Sequence, residues 1–150
     1  MNPTLPTIPP DDAPVVKLPA ALRVQELGHI AATVEETVRT AAWILRTRGH
    51  WQHGSVPDAA DREMCIPHAL RPMSITAAIK CATTGDPRDT CVLADNVIVI
   101  LATSLGGALS RGGIFDLEEH IDAWGDMPAR STDDAVELLE RLAATLERAA

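Results

Sequence analysis

Apolar residues recur three and four apart through most of this chain, and that spacing predicts helices rather than strands. The stretch TVEETVRTAAWILRTRGH opens with Thr33-x-x-Glu36, a capping box. It carries Val34, Val38, Ala41, Ala42 and Leu45 on one face and stops at Gly49. Upstream, Leu22, Leu27 and Ile30 in PAALRVQELGHIA predict a further helix, with Pro19 suited to its first turn. Downstream, ALRPMSITAAIKCATTGDP breaks near Pro72 and reads as a helix from about Ser74 to just before Gly85. RDTCVLADNVIVILATSLGG follows, with Leu93, Val97, Ile100, Leu101 and Leu105 at helical spacing. Its β-branched VIVI would suit a buried strand, but the length of the segment favours a buried helix. Asp95 then needs a partner, or marks an end of that helix together with Asn96.

ALSRGGIF reads as loop. Asp116-x-x-Glu119 is expected to cap a short helix that runs through His120 and Trp124 and is closed by Gly125. Ser131 caps the last helix, whose apolar stripe is Val136, Leu139, Leu142, Ala143 and Leu146. The expected fold class is all-α, a compact single-domain bundle of five to six helices over residues 19–150. Residues 1–18 hold five of the 11 prolines and little periodicity, so they read as an extended Pro-rich arm.

A chain of 150 residues is long enough for one real core. The net charge of −8 argues against nucleic acid or an anionic membrane surface as partner, since both reward clustered Lys and Arg. Only Lys17 and Lys80 among the 13 basic residues are lysines, which hints at GC-rich coding. The amino terminus has neither a basic nor an apolar signal region, and the apolar run 92–105 is short of the roughly 20 residues a membrane span needs. A cytoplasmic protein is expected. Three cysteines, Cys65, Cys81 and Cys91, are too few for a disulfide framework and are expected as thiols.

The richest polar chemistry lies in HWQHGSVPDAADREMCIPH, residues 50–68. His50 with His53, and Cys65 with His68, have the short spacing that lets two ligands reach one zinc ion. The alternative is that histidines beside a helix end are caps and surface decoration. A second chemistry is a thiol hydrolase: Cys65 stands where a loop meets a helix, which favours thiolate, with His120 as base and Asp126 as its orienter. Against it, a free cysteine is often buried as a small hydrophobe. With no tyrosine and one phenylalanine, Trp43, Trp51 and Trp124 supply most of the aromatic surface. Trp43 is expected in the core, while Trp51 sits in polar company that suits either core or contact surface. Glu35, Glu36, Glu118, Glu119, Asp133 and Asp134 read as first-turn residues complementing helix dipoles. Gly106-Gly107 and Gly112-Gly113 lack the Lys-Ser/Thr of a phosphate loop and read as hinges or helix stops.

Three short motifs carry a family likeness. They are G-H-W-Q-H-G with Gly49, Trp51 and Gly54; Cys65-x3-Ala69-Leu70; and W-G-D-x-P-x-R-S-T at 124–132. From Thr37 to Ala149 the chain resembles a family of small uncharacterised helical domains found in actinobacteria and their phages. In that family the third motif usually reads Trp-Asn-Asp, where this chain has Gly125. The resemblance implies that His50, His53 and His68 are not part of the pattern. It also makes the third motif a joint in which Trp124 plugs the core, Asp126 satisfies turn amides, Pro128 fixes the chain and Ser131 caps the helix. A binding pocket formed with the 50–68 loop is the alternative for that turn, with Trp51, Trp124, Asp126 and Arg130 as its binding residues. The expectation from sequence is a small helical binding or accessory protein, of a kind encoded by phages, with no cofactor. It would contact another protein or itself through the arm. A cysteine hydrolase using Cys65 and His120, and a structural zinc domain, are its rivals.

Overall fold

The computed structural model describes residues 30–57, 68–107 and 112–150. The arm, and the helix expected from Pro19, lie outside the described residues except for Ile30 and Ala31, which are not helical. Among the described residues there are five α-helices: α1 Val34–Arg48, α2 Ile75–Thr84, α3 Val92–Leu105, α4 Ile114–Gly125 and α5 Thr132–Ala149. A 3-10 turn, His68–Leu70, precedes α2, and none of the described residues forms a strand. The all-α bundle is as expected.

Local chemistry explains the boundaries. The Thr33 hydroxyl accepts the Glu36 amide at 3.1 Å and starts α1, while Gly49 at φ +101° ends it in a conformation costly for a residue with a Cβ. Ser74 accepts the Ala77 amide at 3.1 Å and starts α2, and Gly85 closes it in the left-handed region. At α5 the capping box is complete: the Ser131 hydroxyl accepts the Asp134 amide, and the Asp134 carboxylate accepts the Ser131 amide.

The core is where the apolar faces meet. α1 contributes Val38, Ala41, Ala42, Ile44 and Leu45, and α5 contributes Ala135, Val136, Leu138, Leu139, Leu142 and Ala143. Each Leu or Ile so buried stabilises by about 1.5–3 kcal/mol relative to an exposed one. The contact between α1 and α5 is the most extensive in the bundle, and the contact between α1 and α2 is the next. Arg39 donates to Glu147 at 2.8 Å, and Arg46 pairs with Glu140, along the rim of the α1–α5 contact. α3 is covered chiefly by α4 and then by α2 and α1.

Four sequence expectations are corrected. Trp43 is not in the core: it is 39% exposed, with the Arg48 guanidinium 5.3 Å from its ring centre. It lies off the stripe of small and aliphatic residues that pack between helices. The inward face of α3 is centred on Ala94, Val97, Ile98, Leu101 and Ala102, which leaves Leu93, Ile100 and Leu105 only partly buried. α4 starts at Ile114 with Gly113 as an N-cap that offers no side chain. Asp116 therefore lies in the first turn rather than capping it, and Glu118 falls past that turn. Gly125 is the last residue of α4, and Asp126 is the cap. Asp95 marks the start of α3, where its carboxylate accepts the Thr90 hydroxyl at 2.9 Å.

Candidate functional site: a joint between two loops

Gly49 turns the chain out of α1 into an extended run that lies beside the residues leading into α2. The Trp51 amide donates to the Met73 carbonyl at 2.9 Å, and the Met73 amide donates to the Gly49 carbonyl at 3.2 Å. Lower down, the Ser74 amide donates to the Ser55 carbonyl at 2.9 Å. The far side of this run faces the turn between α4 and α5. The His50 amide donates to the Thr132 hydroxyl at 3.1 Å, and the His53 amide donates to the Asp126 carboxylate at 2.8 Å. Gln52 Nε2 donates to two turn carbonyls, Gly125 at 2.8 Å and Met127 at 3.1 Å. G-H-W-Q-H-G and W-G-D-M-P-A-R-S-T thus form a single joint, although more than 70 residues separate their bonded members.

This arrangement corrects the role assigned to Asp126. Its carboxylate accepts from the facing loop, at the His53 amide, and the His53 ring nitrogen Nδ1 stands 3.8 Å from its other oxygen. Arg130 lies with its guanidinium 3.8 Å from the Trp124 ring centre and donates through Nε to the Trp124 carbonyl at 3.2 Å. The cation thereby fixes the ring that packs on the core. Trp51 remains 38% exposed at the same joint, and Met127 is 48% exposed.

Behind the joint lies a carboxylate that the sequence reading passed over. Asp122 accepts the Thr76 hydroxyl at 2.7 Å and the Thr76 amide at 3.4 Å, so it caps α2 from a neighbouring helix. Burial pushes its pKa up to about 6. The two bonds from Thr76 oppose that rise, and the nearby charges of Asp126 and Glu118 add to it. Glu118 itself is met by Lys80 at 2.9 Å. His50 is half-buried, and desolvation lowers its pKa against a weaker pull from Asp126. Its ring fills the space over Gly125, where an added Cβ would come within 2.9 Å of Nε2.

The remaining candidates sit elsewhere. His120 Nε2 donates to the Gly106 carbonyl at 2.8 Å, and no hydrogen bond or ion pair joins it to Asp126 among the described residues. Cys65 and the side chain of His68 lie outside the described residues. Among the described residues no three His, Cys, Asp or Glu side chains converge as a metal site. Cys81 is buried, and desolvation raises its thiol to about 11, which makes it unsuited as a nucleophile.

Residues 29–145 of this chain, which include both halves of the joint, match a protein family described as a family of unknown function, DUF6197. The chain belongs to DUF6197. No curated protein and no solved structure matches it. The DUF6197 match thus carries no substrate or partner with it.

The joint of this DUF6197 chain also concentrates unusual backbone. Gly49 and Gly54 have positive φ on one segment, and two residues with a Cβ do as well: His53 at +65° on that segment and Ala129 at +72° on the facing turn. A left-handed alanine costs roughly 1–2 kcal/mol, more than the backbone entropy a glycine adds. Ala129→Gly is therefore expected to raise stability by about 0.5–1 kcal/mol, read as a higher urea midpoint with unchanged slope. A lower midpoint would show that the methyl group contributes packing that outweighs the strain.

Proposed function

We propose that this DUF6197 member is a helical binding or accessory protein that acts by contact with another protein and catalyses no reaction, with the joint as its contact surface. Trp51 carries the reading. Its backbone is fixed by Met73 and its flanking residues by the α4–α5 turn, yet over a third of the residue faces solvent. An aromatic ring presented on a rigid segment loses little entropy on binding and is the commonest kind of interface anchor. We also propose that residues 1–18 extend the contact, because proline-rich segments suit grooves on neighbouring chains. The arginine-for-lysine bias and the three-motif likeness support an origin among actinobacteria and their phages, and a set of three cysteines, too small for a disulfide framework, supports a cytoplasmic location.

The test compares affinity capture by the wild-type chain, Trp51→Ala and Trp43→Ala. Trp43 serves as the control because it is 39% exposed and stands on α1, outside both segments of the joint. Proteins retained by the wild type and by Trp43→Ala should fall about tenfold with Trp51→Ala, at equal thermal midpoints. Equal retention by all three chains would remove the joint as the contact surface.

A further inference from the structure

The turn between α4 and α5 holds Met127 firmly by its backbone and leaves the residue open to solvent. Its carbonyl accepts from Gln52 Nε2 and from the Arg130 amide, each at 3.1 Å, and its amide donates to the Trp124 carbonyl at 3.4 Å. The residue is 48% exposed, whereas Met73, the other methionine among the described residues, is wholly buried. The thioether has a partner of its own: Arg130 Nη2 donates to Sδ at 3.3 Å. The same guanidinium lies over the Trp124 ring and donates through Nε to the Trp124 carbonyl. One cation thus ties the sulfur of an exposed residue to the ring that packs on the core.

We propose that Met127 is a reversible oxidation site for hydrogen peroxide, and that its sulfoxide draws Arg130 away from Trp124. A sulfur lone pair attacks one oxygen of the peroxide, and the S–O bond forms as the O–O bond breaks. Sulfur is oxidised by two electrons, the proton of the attacked oxygen passes to the departing one, and water leaves. A thioether has two lone pairs and Arg130 occupies one of them, so attack proceeds through the other and one sulfoxide epimer dominates. The product offers the cation a different acceptor. Thioether sulfur accepts weakly, whereas a sulfoxide oxygen accepts strongly, and the guanidinium follows the stronger partner. The inference goes beyond the joint as a contact surface, and its chemistry needs no partner protein.

The experiment exposes the full chain to hydrogen peroxide at neutral pH and follows each methionine by peptide mass. Met127 should gain one oxygen at least about tenfold faster than Met73. The oxidised chain is then treated with one or the other of the two reductases that each act on a single sulfoxide epimer. One of them should restore at least about three quarters of the Met127 sulfoxide, and Arg130→Leu should bring the two to roughly equal shares. In side-chain NMR spectra the Arg130 Nε and Trp124 indole signals should move on oxidation and return on reduction. Met127→Leu should show no such movement under peroxide. None of these readouts involves a binding partner, so failure here is separable from failure of the contact surface. Oxidation no faster than at Met73, equal epimers in the wild type, a bias retained in Arg130→Leu, or Arg130 and Trp124 signals that stay in place would overturn the proposal.

Discussion

Asp122→Asn is expected to make the protein more stable at pH 8 and to leave it unchanged at pH 4. In the fold the carboxyl titrates near 6, against about 3.8 for its ordinary value. Between those values the folded chain binds more protons than the unfolded one, so this group's contribution falls as pH rises and the penalty is complete above pH 6. Two pH units correspond to roughly 3 kcal/mol. Asparagine still offers an oxygen to the Thr76 hydroxyl and amide but never ionises beside Asp126 and Glu118. The variant should therefore gain about 1–3 kcal/mol at pH 8, less whatever charge-assisted bonding to Thr76 it gives up. His50 works in the opposite direction: its lowered pKa makes the fold lose stability as pH falls below 6.5, but both chains carry it, so it cancels in the difference. Urea unfolding at intervals from pH 4 to pH 8 reads the effect, and a difference that does not change with pH would refute it. Asp122→Ala is the contrast. It takes the carboxylate from the Thr76 hydroxyl in a buried setting and should cost about 1–3 kcal/mol at pH 4, a cost that the relieved ionisation penalty offsets as pH rises to 8.

The second large effect is a reversal of sign at Gly125. Alanine at the end of a helix normally gains up to about 1 kcal/mol over glycine. Here its Cβ would meet the His50 ring at 2.9 and 3.2 Å and Ile75 Cδ1 at 3.4 Å. The ring is held on a backbone whose amide is bonded to Thr132, so it has little room to yield. Gly125→Ala is expected to cost about 1–2 kcal/mol in the wild-type chain and to gain about 0.5–1 kcal/mol in a His50→Ala background. A four-member unfolding cycle checks this, and additivity would mean that the ring moves aside freely.

The helices were legible because their ends are written in single residues. Thr33, Ser74 and Ser131 offer hydroxyls to the amides that begin α1, α2 and α5, and Gly49 and Gly85 end α1 and α2. α4 was misplaced for the complementary reason: Gly113 caps with no side chain, so nothing at its true start stands out, and Asp116 two positions on attracted the assignment. Trp43 was misjudged because size suggested the core, whereas the packing between α1 and its neighbours uses Ala41, Ala42 and Leu45. The joint was legible only as an alternative, the pairing of the 50–68 loop with the turn, and not in its bonds. Its donors at His50 and His53 are backbone amides, which any residue but proline could supply, so no side-chain pattern announces them. Asp122 was invisible on similar grounds. Its partner Thr76 lies 46 residues away, and on its own helix it is one carboxylate among four.

The extensive contact between the first and last described helices carries a consequence for how the chain is made. The ion pairs along that seam join residues 108 and 94 positions apart, so closing it demands the largest loop entropy in the bundle. During synthesis α1, α2, α3 and α4 emerge from the ribosome while Val38, Ala41 and Leu45 still lack the leucines of α5. Neighbouring helices can pair early because their contacts are local, but the core stays open on one side until α5 is free of the exit tunnel. A nascent chain paused before Leu138 should therefore present this seam to chaperones, and release of the last helix should bury it.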